Sequence, residues 1–226
     1  IDFFNNSNID GDFEYFQSKS NGNLPLIASV LADEFHEVWW KDAKFKTTRN
    51  TNKTLAKEKV NLPLKIEIAN LIQRIQKLDK QFDKEISLLK KSVIDGIITT
   101  NWDNLLETTF PDFNVYIGQQ ELLFSESISI GEIYKIHGCV SRPQSLIVTQ
   151  DDYNDFNNRN AYLAAKLLTI FVEHPIIFIG YSLSDENIQQ IIDSIVKCVD
   201  PKNLDKLKDR LIFVQCAKVS EFEMKD

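Results

Sequence analysis

The sequence predicts an α/β protein: a doubly wound parallel sheet, with a layer of helices contributed by the N-terminal part of the chain. Three observations support this prediction. From residue 93 onward, short apolar runs alternate with helical patterns. The first of these runs, at 93–99, is rich in β-branched residues and lacks polar alternation, which is typical of a strand buried on both faces. Before residue 93, apolar residues follow helical spacing and no strand pattern separates them.

We therefore divide the chain into two regions. Residues 1–92 are predicted to form a helical subdomain, or a helical insert of the same domain, and residues 93–226 form the domain that carries the sheet. The chain starts at Ile1 within a polar segment and stops at Asp226 just after a strand-like run. We expect it to be a fragment of a larger protein.

Composition narrows the range of functions. The 226 residues are 43% hydrophobic and 11% aromatic, which is enough for a proper core. The net charge of −7 and the lack of a basic cluster argue against nucleic acid as a main partner. We expect no membrane span, because no apolar run approaches the required length. Cys139, Cys198 and Cys216 lack C-x-x-C spacing, which argues against a cysteine zinc site and indicates a cytoplasmic setting.

The first region reads as helices joined by polar segments. Residues 1–23 are predicted to be a loop or a short helix. A helix is predicted over 24–45, since its apolar residues recur every three to four positions and Pro25 suits a first turn. The polar segment 46–60 is predicted to be an exposed loop, and a second helical zone covers 62–91.

In the second region strands and helices alternate. The predicted strands are 93–99, 113–117, 132–136, 145–149, 175–179 and 210–215. The predicted helices are 102–109, 159–173 and 184–199. Asp103 or Asn104 is a suitable N-cap for the first of these helices, and Asp151 and Asp152 are predicted to start a further helix.

Three short motifs lie where predicted strands stop. They are TTNWD at 99–103, KIHG at 135–138 and FIGYSLSD at 178–185. Each brings polar residues or glycine to the end of a strand. Because open α/β sheets bind ligands at the carboxyl ends of their strands, all three motifs could line one crevice.

Each motif also has a purely structural interpretation. Asn101 and Asp103 are residue types that commonly form turns and helix caps. His137 alone is typical of a hydrogen-bonded histidine at a strand end. Gly180 and Ser182 fit a left-handed exit from a strand followed by a helix cap. The case for function depends on the three motifs occurring together, in this order.

Other candidate residues are set aside. His36 and His174 are interpreted as structural or exposed. Cys139 lies beside His137 in the sequence and could suggest a thiol nucleophile, but we discount it in that role. Neither standard glycine-rich phosphate loop, G-x-G-x-x-G or G-x-x-x-x-G-K-[ST], is present in the sequence.

The ordered set TTNWDNLLE, KIHG, LIVTQDDY and FIGYSLSDENI resembles the sirtuin-like domains of bacterial antiphage defence proteins, over roughly residues 93–195. The resemblance implies a Rossmann-like fold and NAD as a substrate, with no metal. It implies an effector that depletes NAD by cleaving it to nicotinamide and ADP-ribose. It also implies a sensor or oligomerisation domain or partner protein, a homo-oligomer, and a phage-derived trigger.

The resemblance also assigns roles to residues. Asn101 would contact the nicotinamide ribose and help to position the attacking water, and Asp103 would organise the same pocket. His137 would be the catalytic histidine, acting as a base on a ribose hydroxyl or on water. The implied catalytic residues are therefore Asn101 and His137, and the implied NAD-binding residues are Thr100, Asp103, Gly138, Gly180 and Ser182.

Two departures from the family pattern affect this interpretation. The family begins with a strand and a Gly-Ala-Gly loop that cradles the dinucleotide, and we expect that segment to lie upstream of Ile1. The four zinc-binding cysteines of protein-deacylating sirtuins are also absent, which favours NAD cleavage over deacylation. The alternatives are a deacylase or ADP-ribosyltransferase that uses the same pocket, and a non-catalytic domain for nucleotide binding or assembly.

Overall fold

The computed structural model describes residues 13–75, 82–118, 121, 131–159, 161–180, 186–208 and 210–214. The chain divides into two compact units, Ile1–Asn158 and Arg159–Asp226. Parallel strands and helices occur in both units, so the predicted α/β fold is confirmed. In the described part of the chain, no helix is long and apolar enough to cross a membrane.

Among the described residues, five helices of the first unit precede its sheet. They are α1 (Phe13–Lys19), α2 (Leu24–Lys41), α3 (Lys46–Ala56), α4 (Leu62–Ile75) and α5 (Asp83–Lys91). The Asn23 side chain accepts a hydrogen bond from the Leu26 N–H at 3.1 Å and so caps α2. Phe35 and Trp39 of α2 are fully buried, and the Trp39 indole N–H donates to Glu67 of α4 at 2.9 Å. This core joins α2 to α4, the helix that reaches the sheet.

The prediction of an exposed loop over 46–60 is wrong, because α3 occupies most of that segment. Although α3 is mostly polar, its Ala56 is buried and its Leu55 is partly buried, and both pack into the α2–α4 core. The Arg49 guanidinium also donates to the backbone carbonyls of Trp39 and Asp42 at the end of α2. Tertiary contacts of this kind stabilise a helix that has little hydrophobic pattern of its own.

Among the described residues, the first unit holds a three-stranded parallel sheet. Its strands are β1 (Gly96–Thr99), β2 (Asn114–Ile117) and β3 (Glu132–Lys135), in the spatial order β1, β3, β2. All four residues of the central strand β3 are buried. The expectation that 93–99 is buried on both faces is wrong, because β1 lies at an edge of this sheet and is only partly buried, with Val93 fully exposed.

The segments between and after these strands complete the first unit. A short helix, α6 (Leu105–Thr109), follows β1, and α7 (Gln150–Arg159) confirms the helix predicted to start at Asp151 and Asp152. The strand predicted at 145–149 is absent: Pro143–Ser145 is a 3₁₀ turn and the next residues form an irregular buried segment. Its apolar residues Leu146 and Ile147 are buried as a strand's would be, which explains the wrong prediction.

The second unit contains α8 (Ala161–Glu173), β4 (Ile176–Ile179), α9 (Glu186–Cys198), α10 (Leu204–Lys208) and β5 (Leu211–Val214). Strands β4 and β5 pair in parallel. Phe178 of β4 stacks on Phe213 of β5 with ring centroids 4.5 Å apart, and Phe171 of α8 meets Phe178 edge-on at 6.0 Å. These aromatic contacts fix α8 on one face of the strand pair.

Candidate functional site

The loops that follow β1 and β3 are joined side by side at the carboxyl edge of the sheet. The Thr99 carbonyl accepts a hydrogen bond from the Ile136 N–H at 3.1 Å, and the Trp102 carbonyl accepts one from the Val140 N–H at 2.9 Å. The backbone around Asn101 therefore runs beside the backbone around His137. Two of the three predicted motifs thus lie at one edge of one sheet.

The first loop is held by its own polar residues. The Asn101 N–H donates to the Thr99 hydroxyl at 3.0 Å, and the Asp103 carboxylate accepts from the Leu105 N–H at 2.9 Å. Asn104 is the N-cap residue of α6 but makes no side-chain cap bond to the helix, and the Asp103 side chain before it accepts from the first N–H of the helix. Thr100 is partly buried, whereas Asn101 is exposed. The loop thus leaves the Asn101 amide available on the surface.

Trp102 anchors this loop to the helical layer. Its side chain packs against a buried cluster of Ala69, Cys139, Val140 and Leu146, in which Ala69 belongs to α4. Gln73 of α4 also donates a hydrogen bond to the Val140 carbonyl at 3.2 Å. Helix α4 therefore contacts both the loop after β1 and the loop after β3.

His137 is enclosed by aromatic rings from α7. The residue is 5% exposed, and its imidazole meets Tyr153 and Phe156 edge-on at centroid distances of 5.9 and 5.5 Å. The His137 carbonyl accepts a hydrogen bond from the Ile147 N–H at 3.0 Å. Both the ring and the backbone of this residue are therefore fixed in orientation.

Gly138 is required by the packing of the turn after His137. Its φ of +90° lies in the region that disfavours side chains, and a Cβ there would come within 2.2 Å of the Ser145 carbonyl oxygen. The close approach is between backbone atoms, so no side chain can move to relieve it. The turn therefore accepts glycine alone without rearrangement.

A polar cluster joins the loop after β1 to the end of β3 and the loop that follows it. Lys135, the last residue of β3, is 1% exposed, and its ammonium lies 2.6 Å from a carboxylate oxygen of Glu107 on α6. The same ammonium donates to the Asp103 carbonyl. The Cys139 thiol donates to the Asn104 side-chain oxygen at 3.0 Å. We call Lys135, Glu107, Asn104 and Cys139, with the Asp103 carbonyl, the sub-loop cluster.

A buried ion pair connects α4 to the start of α7. The Lys65 ammonium lies 2.5 Å from an Asp152 carboxylate oxygen, and the two side chains are 2% and 9% exposed. Burial opposes ionisation of Asp152, but attraction to Lys65 and hydrogen bonds from Lys65, Thr149 and Val148 outweigh it. The pKa of the Asp152 carboxyl therefore lies below its usual value, whereas burial lowers the pKa of Lys65.

Comparison with known proteins identifies the domain family. The SIR2-like domain family matches residues 95–223, which is more than half of the 226 residues. The chain belongs to the SIR2-like domain family. The predicted resemblance to sirtuin-like domains is thereby confirmed.

Individual relatives of this SIR2-like chain include defence proteins. It is 26% identical over 121 residues to "NAD(+) hydrolase ThsA" of Cytobacillus dafuensis, a match that covers 52% of this chain and 24% of the relative. It is 25% identical over 208 residues to "Defense-associated sirtuin 2" of Bacillus subtilis, covering 81% of this chain and 20% of the relative. A match to "NAD(+) hydrolase ThsA" of Bacillus cereus (strain MSX-D12) is 26% identical over 112 residues, covering 48% and 24%.

The SIR2-like chain spans about a quarter or less of the length of these curated relatives. The match to the Bacillus subtilis protein covers too large a share of the chain to lie within residues 93–226 alone. The similarity therefore extends into the N-terminal helices.

The remaining predicted site residues of the SIR2-like domain belong to the third motif. Gly180 follows β4 with a φ of +62° and is exposed, as expected for a left-handed exit from a strand. Ser182 lies outside the described residues. The roles assigned to all seven site residues remain predictions.

Among the described residues, no group of three or more His, Cys, Asp or Glu side chains could hold a metal ion. Sequence reasoning did miss the sub-loop cluster and the aromatic enclosure of His137. A lysine inside the run EIYKI is the signal that could have revealed the first, because a charge in an apolar strand needs a partner. The sequence holds no comparable signal for the second.

Proposed function

We propose that this chain is the SIR2-like part of an NAD⁺ glycohydrolase that acts in antiphage defence by depleting NAD. The reaction consumes NAD⁺ and water and yields nicotinamide, ADP-ribose and a proton. The observation that carries the proposal is that Asn101 and His137 follow neighbouring parallel strands whose loops are hydrogen-bonded together. Relatives named as NAD(+) hydrolases support it.

The chemistry asks for positioning more than for covalent help. Nicotinamide leaves as a neutral group from a cationic pyridinium, and the ribose passes through a state that resembles an oxocarbenium ion. The protein must exclude bulk water, hold the ribose and present one water molecule. A fixed amide and a fixed imidazole are suited to these tasks.

Asn101 would hold the ribose or the attacking water through its amide, which the loop leaves exposed. His137 would accept a proton from a ribose hydroxyl or from water, a contribution of about 10²–10⁴-fold in rate. The edge-on rings of Tyr153 and Phe156 would keep its imidazole in one orientation. Thr100, Asp103, Gly138, Gly180 and Ser182 would contribute to NAD binding.

The proposal includes a cellular setting. The enzyme would act in the cytoplasm, where NAD is available and where free thiols such as Cys139 and Cys198 persist. It would work as a homo-oligomer controlled by a sensor or oligomerisation domain or partner protein, with a phage-derived trigger. Membrane and nucleic-acid binding are not part of the proposal for this domain.

The test follows nicotinamide release from NAD by the full-length protein, assembled and in the presence of its activator. We expect free ADP-ribose in equal amount, and a loss of at least about 100-fold in kcat for Asn101→Ala and for His137→Ala. Matched controls are Asn50→Ala on the exposed side of α3 and His174→Ala before β4, which should turn over NAD normally.

Normal turnover by Asn101→Ala and His137→Ala would refute the assigned roles. Production of O-acyl-ADP-ribose or of ADP-ribosylated protein, in place of free ADP-ribose, would instead establish a deacylase or a transferase. Full-length protein that leaves NAD intact under activating conditions would contradict the proposed function itself.

A further inference from the structure

We infer that Lys135 and Glu107 are positioning residues: the ion pair between the buried lysine and the partly buried glutamate holds the loop at 100–104 so that Asn101 stays in place at the strand end. This inference rests on the proposed function, in which Asn101 contacts the ribose or the attacking water. Neither residue belongs to the predicted catalytic pair. Both act on the site through the backbone that carries it.

The geometry joins three elements through one ammonium group. Lys135 ends the central strand β3, Glu107 lies on α6, and their charged atoms are 2.6 Å apart. The ammonium also donates to the carbonyl of Asp103, two residues after Asn101. The loop is therefore attached to the most buried strand of the sheet at a point close to the proposed catalytic amide.

The contacts that Lys135 makes, rather than its volume, indicate its role. The Lys135 side chain is 1% exposed, and Ile133 of the same strand is wholly buried. Replacing a buried ion pair with apolar residues of similar volume is often neutral or stabilising. An apolar side chain could supply the volume at this position, whereas an ammonium has three donors and can hold both the Glu107 carboxylate and the Asp103 carbonyl.

The sub-loop cluster also links the loop after β1 to the loop after β3. The Cys139 thiol donates to Asn104 at 3.0 Å and lies 3.7 Å from the Glu107 carboxylate, and the Ser141 hydroxyl donates to the Cys139 sulfur at 3.1 Å. Cys139 follows His137 by two residues. A change at Lys135 or Glu107 therefore reaches the loops of both proposed catalytic residues.

The first test compares steady-state NAD hydrolysis by the assembled full-length protein and its variants. We expect Lys135→Met and Glu107→Gln to lower kcat by about 10- to 100-fold with KM within about threefold of wild type, because misplacement of a catalytic group affects the chemical step. Lys135→Arg, which keeps the cation, should recover most of the activity. Glu132→Gln makes the same chemical change at the opposite end of β3, where the residue is also buried, and should leave kcat unchanged.

The second test does not depend on activity. Amide hydrogen exchange should rise in residues 100–105 of Lys135→Met and Glu107→Gln, while exchange in β2 stays at the wild-type rate. Unchanged exchange in that loop for both variants, or an equal rise across the first unit, would overturn the positioning role. If Lys135→Met does not fold, the comparison of Glu107→Gln with Glu132→Gln still decides.

The two tests separate the two ideas. Wild-type protein without NAD hydrolysis would sink the proposed function, and the exchange result would still show whether the ion pair holds the loop. Active wild-type protein together with full activity in both Lys135→Met and Glu107→Gln would sink the positioning role alone.

Discussion

Two ion pairs of the first unit involve a buried lysine and have similar lengths, but their surroundings differ: the Asp152 side chain is 9% exposed and the Glu107 side chain is 21% exposed. Lys65 and Asp152 lie 2.5 Å apart, and Lys135 and Glu107 lie 2.6 Å apart. The Asp152 carboxylate also accepts hydrogen bonds from the N–H groups of Val148 and Thr149 and from the Thr149 hydroxyl. The second carboxylate oxygen of Glu107 is buried without a hydrogen-bond partner in the described part of the chain.

This difference shows how similar pairs can serve different purposes. A carboxylate with all its acceptor positions used is rigid, and removing it breaks several contacts at once. The Lys65–Asp152 pair is therefore a fold element that fixes α7 to α4. The Lys135–Glu107 pair is less saturated and lies under the loop of the proposed site, so its loss should affect the loop more than the fold.

The largest expected effect is on the better satisfied pair. Asp152→Ala should lower the free energy of unfolding by about 3–5 kcal/mol, because it leaves the buried Lys65 without its counter-charge. Asp155→Ala is the matched control on the same helix, since its pair with Lys59 is 3.7 Å long and solvent-exposed and should contribute no more than about 1 kcal/mol. Urea unfolding of both variants measures the difference, and equal losses would remove the distinction between the two pairs.

A smaller loss of stability is expected at the second pair. Glu107→Gln should lower the free energy of unfolding by about 1–2 kcal/mol, because Glu107 is only partly buried and the amide oxygen can still accept a hydrogen bond from Lys135. The same urea experiment applies, with Glu132→Gln as the control for a buried carboxylate on β3. A loss as large as that of Asp152→Ala would assign Glu107 to the fold rather than to the loop.

The smallest expected effect is a dependence on acid. The pKa of Asp152 is lowered in the folded state from its usual 3.8. A lowered pKa gives stability that is fully present above the unfolded-state value, and this stability is lost as the pH falls through the folded-state value. Wild-type protein should therefore exceed Asp152→Asn in stability at pH 5, and the gap should narrow toward pH 3. A gap that stays constant over this range in urea titrations would show that charge on Asp152 contributes nothing.

Periodicity and composition predicted most of the architecture but not the partners of its strands. Helices α2 and α4 were predictable because their apolar residues recur at helical spacing. Five of the six predicted strands occur, because short β-branched runs bounded by turn residues are typical of strands. Which strand is central was not predictable: β3 is the most buried although it contains Glu132 and Lys135.

The errors share a physical cause. Helix α3 is stabilised by contacts of Arg49 and Ala56 with other helices, which a local pattern does not record. The segment 145–149 is buried without pairing as a strand, so its apolar character misled the prediction. At the candidate site, the sequence order located the two loops correctly, but the lysine and glutamate beneath them become partners only through a contact between residues 28 positions apart.

The turn at Gly138 limits which chains can share this arrangement. Its backbone leaves no space for even one additional methyl group against Ser145. A protein with a histidine at the same strand end but a larger residue after it would need another path for the following chain. The dipeptide His137-Gly138, and not the histidine alone, is then the better guide when distant sequences are searched for this strand end.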